Sequence, residues 1–257
     1  MLIILPPSET KRPPPGGGRP VDLESLSFPE LTELRSRILD ALIETSAGPD
    51  AFARLRVTPT KAEDVARNTW LRELPTMPAA EVYAGPLHLG LDATTLPEPA
   101  ARRARQSVIV TSALWGALRL HDRIPPYRLD VCSALVGMGR LEPAWRTLLP
   151  DVLAAAATAG ELVIEARSPS YVAIGRPTRL DDRTVILHVA QGSGRRRVGD
   201  VVAKRVRGEA VRHLLEHGAD PADPDELATL LAERWPTSLA RGSRGRAGWT
   251  ISLSTSG

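Results

Sequence analysis

Cysteine is almost missing from this 257-residue chain. Cys132 stands alone, so no intrachain disulfide can form, and a reducing compartment is the default. Long apolar runs are missing as well, which excludes a helix that crosses a bilayer. The opening run Leu2–Leu5 is short, has no basic residues before it and breaks at Pro6 and Pro7, so it is not expected to be a signal peptide. Together these absences point to the cytoplasm. Lysine is scarce too, with only Lys11, Lys61 and Lys204, and arginine supplies the remaining positive charge. That imbalance is read as arginine-biased codon usage rather than function. Two phosphate-binding templates are missing: no G-x-x-x-x-G-K-[ST] loop, and no G-x-G-x-x-G directly after a strand.

What is present suits a globular protein. Apolar residues make up 42% and charged residues 25%, enough for a sizeable core in one large domain, 1–257. Net charge is only +3, so distribution matters more than total. Basic residues gather late, as Arg195, Arg196, Arg197, Lys204, Arg205, Arg207 and Arg212, against Asp200 and Glu209. Arg241, Arg244 and Arg246 follow, marking 191–257 as a possible basic subregion.

Local patterns predict alternating strands and helices. Strands are expected at Leu2–Leu5, 106–111, 161–166, 184–190 and 249–253. Helices are expected over 29–45 with Ser27 as N-cap, then 61–74, 98–106, 143–158, 203–217 closed by Gly218, and 224–234 capped by Asp223. Gln191–Gly194 reads as a tight turn with 198–202 as the hairpin partner of 184–190, so the sheet is expected to be mixed. The fold class is α/β, with a mixed sheet flanked by helices. Pro6–Gly18 is dense in proline and glycine and reads as a loop, either a plain connection or a mobile flap where such sheets place ligands.

The most informative segment is Ser112-Ala113-Leu114-Trp115-Gly116-Ala117-Leu118-Arg119-Leu120-His121-Asp122-Arg123-Ile124-Pro125-Pro126-Tyr127-Arg128-Leu129-Asp130. It leaves a buried strand and crowds Arg119, His121, Asp122, Arg123, Tyr127, Arg128 and Asp130 together. Such a cluster is either a site or a turn stapled by its own Arg–Asp pairs. The segment resembles the signature S-G-L-Y-G-x-L-x-P-x-D-x-I-x-P-Y-R-L-E/D of the peroxide-stress YaaA family, departing at Ala113, Trp115 and Leu120. Leu2–Lys11 resembles that family's strand and proline–serine–lysine loop. Val82-Tyr83-Ala84-Gly85 is similar to its V-Y-x-G, and Ala203-Lys204-Arg205-Val206-Arg207-Gly208 to its A-K-x-x-R-G. Ala166-Arg167-Ser168-Pro169-Ser170-Tyr171 is a weaker echo that lacks the family's glutamate. The matches run from Met1 to about Gly218.

The resemblance implies an α/β fold with a helix-hairpin-helix-like element, a positively charged cleft, binding to double-stranded DNA and protection against peroxide. No cofactor is established for that family, and no residue cluster in the sequence is expected to hold a metal. Mapped onto this chain, the resemblance marks Ser8, Lys11, Tyr83, Trp115, Arg119, Tyr127, Arg128, Ser168, Tyr171, Lys204, Arg205 and Arg207 as candidate ligand or phosphate contacts. The helix opened by Lys204, Arg205 and Arg207 would point donors at phosphate. The alternative is an enzyme acting on a nucleobase, nucleoside or nucleotide, such as an N-glycosidase. There Asp122 and Asp130 would serve as base and oxocarbenium stabiliser, Arg128 and Lys11 would hold a phosphate, and Trp115 or Tyr127 would stack on a base. A third reading is an interaction protein with a structural Arg/Asp knot. If the strands before Lys11 and before the signature are parallel neighbours, Lys11, Asp122, Tyr127 and Arg128 are expected to line one cleft. His213 and His217, four apart, read as a solvent-facing pair. Cys132 reads as a buried thiol with nothing near it to lower its pKa.

Overall fold

The computed structural model describes residues 1–13, 16–190, 199–242 and 248–254. Seven strands form one sheet: β1 (Leu2–Leu5), β2 (Val108–Ser112), β3 (Gly116–Arg119), β4 (Val163–Glu165), β5 (Thr184–Ala190), β6 (Thr237–Arg241) and β7 (Trp249–Ser254). Their spatial order is β6-β7-β5-β4-β1-β2-β3. The five inner strands run parallel, and the edge strands β3 and β6 are antiparallel to their neighbours. The sheet is therefore mixed, as the sequence predicts.

β1 and β2 explain their own composition. Every residue of both strands is buried, so neither alternates, as expected for strands covered on both faces. Ile3 pairs with Val108 and Leu5 with Val110, so both strands leave the sheet at the same edge. The chain leaving β4 at Glu165 exits there too, because β4 runs parallel to β1.

The helices used below are α1 (Thr32–Ala47), α2 (Ala62–Asn68), α3 (Pro86–Leu91), α4 (Glu98–Ser107), α5 (Leu141–Arg146), α6 (Leu149–Ala155), α7 (Pro169–Ala173), α8 (Asp200–His217) and α9 (Pro224–Ala232). Gly218 closes α8 in the left-handed conformation at φ 78°, and Asp223 caps α9 by accepting from the backbone N–H groups of Asp225 and Glu226. The helix expected over 143–158 is two helices, with Pro150 in the first turn of the second, where a missing N–H costs nothing. The one expected over 61–74 ends at Asn68. Ser27 does not cap α1: Leu31 precedes that helix, and both the N–H and the hydroxyl of Ser27 donate to Asp122.

The turn expected at Gln191–Gly194 lies outside the described residues. Its proposed hairpin partner is wrong, because Asp200–Val202 open α8 and β5 pairs in parallel with β4 and β7. α8 instead packs hard against α3. A Cβ on Gly208 would sit 1.9 Å from the Leu87 carbonyl oxygen, and one on Gly90 would sit 2.2 Å from that of Arg205. Backbone meets backbone there, so only glycine fits. This contact fixes the basic first turns of α8 against the segment that carries Tyr83.

Candidate functional site

Lys11 follows β1 on a segment that is tied down rather than a free flap. Arg12 N–H donates to the Val82 carbonyl, Ala84 N–H donates to the Thr10 carbonyl, and Lys11 bridges to Tyr83. Its ammonium donates to the Ser8 carbonyl at 2.7 Å and lies 4.2 Å from the Tyr127 ring centroid and 5.8 Å from that of Tyr83. Beneath it runs a hydroxyl chain. Tyr127 OH meets Ser112 Oγ at 2.7 Å and Tyr83 OH at 3.0 Å. Burial pushes the Tyr127 phenol up to about 12 and the Tyr83 phenol well above its ordinary value, so both stay protonated at neutral pH. Burial, with Arg128 next in weight, pulls the Lys11 ammonium down to about 7. His88 packs against Tyr83 and bonds the Pro6 carbonyl, and burial lowers it to about 4, so it is neutral there.

Arg128 is held by its backbone. Asn68 at the end of α2 accepts from the Arg128 N–H and donates to its carbonyl, both at 2.8 Å. One guanidinium nitrogen donates to Glu9 at 3.1 Å, while the buried Nε–H has no partner among the described residues. Tyr171 on α7 is buried close by, its phenol raised by burial first and then by Tyr127, Asp130 and Glu9. Ser8 is buried below, its Oγ filling the space a side chain at Gly85 would need. The structure thus brings Lys11, Tyr83, Tyr127 and Arg128 together at the carboxyl edge of β1 and β2.

Other expected contacts go elsewhere. Asp122 does not join this group. It is buried, accepts from Ser27 N–H, Ser27 Oγ and Arg119 N–H, and serves as the charge opposite the buried Arg35. Three of its roughly four lone-pair positions are taken, which ties the carboxylate to Ser27 and Arg119 and gives it a structural role in the signature turn. Trp115 is 0% exposed and meets Tyr127 edge-on at 6.1 Å, so it cannot stack on a base. Arg119 donates to the Gln106 carbonyl and lies over the Phe28 ring. Asp130 accepts from Cys132 N–H, closing a turn, and burial raises the Cys132 thiol. Arg35 escaped notice in the sequence. It donates to the carbonyls of Ser27, Trp115 and Ala117 and so fixes the start of the signature turn.

The late basic cluster divides. Lys204 and Arg207 line a cavity of about 970 Å³, together with Arg146, Arg167, Ser168 and Arg176. Lys204 pairs with Asp200 at 2.6 Å, and Arg207 makes one long bond, 3.4 Å, to the Ala166 carbonyl. The Arg207 Nε–H is buried and lacks a partner among the described residues. Arg205 leaves this group and pairs with Glu209, while Arg212 donates to the carbonyls of Leu91 and Asp92 at the end of α3. Arg195, Arg196, Arg197, Arg244 and Arg246 lie outside the described residues. Beside the cavity, Arg167 is clamped by Glu165 at 2.6 and 2.8 Å and donates to the carbonyls of Tyr171 and Gly175. α7 therefore borders both places: Val172 and Ala173 line the cavity, and Tyr171 belongs to the Lys11 group.

His213 is not solvent-facing, since it packs against Trp235 and bonds the Leu230 carbonyl. Among the described residues, no group of three or more His, Cys, Asp or Glu side chains is arranged to hold a metal. No helix among them is long and apolar enough to cross a membrane.

Three relatives share most of their length with this chain. A UPF0246 protein of Streptomyces coelicolor is 39% identical over 236 residues, covering 91% of this chain and 90% of the relative. One from Corynebacterium efficiens is 38% identical over 235 residues, covering 90% and 91%. One from Shewanella pealeana is 29% identical over 233 residues, covering 86% and 88%. The family model described as peroxide stress protein YaaA matches residues 1–238, the strand edge, the signature turn and the basic helix included. The chain belongs to the peroxide stress protein YaaA family.

Proposed function

We propose that this protein acts in peroxide-stress defence by binding nucleic acid through its phosphates, with double-stranded DNA as the polymer. One observation carries this reading. Lys204 and Arg207 converge on a cavity of about 970 Å³, and the Arg207 guanidinium, held by a long 3.4 Å bond to the Ala166 carbonyl, keeps a buried N–H that no described residue accepts. Buried donors are nearly always satisfied, so a guanidinium left short of acceptors at a cavity wall is suited to a ligand that brings one. A phosphate oxygen suits a guanidinium in both charge and geometry. Arg128, with its own unpartnered Nε–H, adds a second contact at the same edge of the sheet. A smaller recess of about 450 Å³ is lined by Asp220, Asp223, Asp225 and Glu226, and it repels phosphate.

Contacts of this kind are blind to sequence and sensitive to salt. With about four phosphates neutralised, the logarithm of the association constant should fall with the logarithm of salt at a slope near −3.6. Titrating a labelled duplex at several salt concentrations measures this. The expected result is binding with that slope and little difference between unrelated sequences. Absence of binding at low salt, or a flat slope, would overturn it.

A second reading, an enzyme acting on a nucleobase, nucleoside or nucleotide, is favoured by the buried Ser112–Tyr127–Tyr83 hydroxyl chain under Lys11.

A further inference from the structure

Lys11 differs from the other two lysines. Lys61 and Lys204 are about half exposed and sit beside carboxylates, Asp64 at 3.7 Å and Asp200 at 2.6 Å. Among the described residues, no carboxylate oxygen comes within 4.0 Å of the Lys11 ammonium. It has instead a backbone carbonyl, two tyrosine rings and the cation of Arg128. A phosphate-binding lysine gains from staying charged. This one is placed where the charge is disfavoured, as in amine nucleophiles.

We propose that Lys11 forms an imine with an aldehyde that also carries a phosphate group, the phosphate being held by Arg128. The step is balanced without an oxidant or reductant. The Nζ lone pair forms the C–N bond while the C=O π pair moves to oxygen; the oxygen takes up a proton and the nitrogen gives one up, leaving a neutral carbinolamine. The nitrogen lone pair then forms C=N as the hydroxyl takes a proton and leaves as water, the nitrogen gives up its remaining proton to leave the imine, and hydrolysis reverses both steps. Tyr127 OH is the nearby donor for the carbonyl oxygen, backed by Ser112 and Tyr83. Arg128, which donates to exposed Glu9 at 3.1 Å, supplies one positive charge and an Nε–H that no described residue accepts, and an aldehyde without a phosphate would use neither.

With a pKa of about 7, nearly half of Lys11 is a free amine at neutral pH. An ordinary lysine, with a pKa near 10.4, is uncharged only about once in 2,500 molecules there. Glu9, Asp64 and Asp130 pull the other way and keep the value from falling further. Neutral His88 and the protonated phenols of Tyr83 and Tyr127 add no charge at that pH. The aldehyde has two chemical sources, a free sugar phosphate or the opened sugar of an abasic site in a strand. This inference does not rest on polymer binding, because labelling reads Lys11 whether or not a duplex is held.

The test is reductive trapping on the full chain with sodium cyanoborohydride, read by peptide mass spectrometry, with Lys61 and Lys204 as internal controls. One arm uses glycolaldehyde phosphate, a second uses acetaldehyde, and a third uses a duplex containing one abasic site. At pH 7 we expect Lys11 to label about tenfold or more faster than either control, a conservative share of the free-amine advantage. The rate should rise between pH 6 and 8 with a midpoint near 7. Glycolaldehyde phosphate should outpace acetaldehyde, and Arg128→Ala should erase that preference. Tyr127→Phe should slow labelling without moving its pH midpoint far. Labelling by the abasic duplex alone would assign the strand as the source, and labelling by the small phosphate alone would assign the free sugar. Equal labelling of all three lysines with every probe, or no preference for the phosphate, would overturn the proposal.

Discussion

Glu165→Ala is expected to lower the unfolding free energy by about 3–5 kcal/mol, the usual result of removing one partner of a buried ion pair. Glu165 accepts from the Nε, one terminal nitrogen and the backbone N–H of Arg167, and the Arg167 side chain is 0% exposed. Without the carboxylate, a guanidinium remains buried with the carbonyls of Tyr171 and Gly175 as its acceptors among the described residues. For a chain of this size the melting temperature should fall by roughly 10 °C. Glu165→Gln keeps the shape and part of the hydrogen bonding, so it should cost less. Thermal and denaturant unfolding check both variants. A loss under about 1 kcal/mol for Glu165→Ala would mean that Arg167 finds water or another acceptor.

Asp122→Ala is the second large effect, about 2–4 kcal/mol of stability. It removes the acceptor of three hydrogen bonds and the charge facing buried Arg35. Burial already lowers the Arg35 pKa to about 10, with Asp122 the leading opposing influence. Duplex affinity measured well below the melting temperature should change by less than about twofold, as for a residue that contacts no phosphate. The opposite pattern, intact stability with lost binding or lost aldehyde trapping, would return Asp122 to the site.

Asp122 shows how far the sequence could be read. That an acid stands there, in a turn after a buried strand, is visible. Which way its oxygens face depends on Ser27, 95 residues away, and no local pattern carries that contact. Ser27 misled for the same reason, because a serine before an amphipathic run resembles an N-cap until a distant acceptor claims it. The inner strands were legible because Leu2–Leu5 and Val108–Ser112 are buried on both faces and read as continuous apolar runs. β6 was not. Thr237-Ser238-Leu239-Ala240-Arg241 is a largely exposed edge strand with little apolar content, recognisable only once β7 pairs with it.

The site was legible in part. The convergence of Lys11 and Arg128 hung on whether two apolar runs are parallel neighbours, and β1 and β2 are. The division of the basic cluster was not visible, because helical spacing alone does not say which arginines find acceptors. Arg35 left one usable signal: an arginine beside Leu34 and Ile38, on the apolar side of α1, has to reach buried carbonyls or stay unpaired. Glu165 and Asn68 left none, since an acid at a strand end and an amide at a helix end are ordinary.

The central claim is that Lys204 and Arg207 hold phosphate in the cavity they line. It is tested most directly by comparing Lys204→Ala/Arg207→Ala with the parent chain in duplex titrations over a range of salt. Among the described residues both side chains make few contacts that hold the fold: an ion pair to Asp200 and a long bond to the Ala166 carbonyl. The melting temperature should therefore move by no more than about 2–4 °C. Affinity at low salt should fall by roughly tenfold or more, and the salt slope should become shallower by about 1.8, near 0.9 for each lost phosphate contact. A folded double variant with the parent's affinity and the parent's slope would contradict the account.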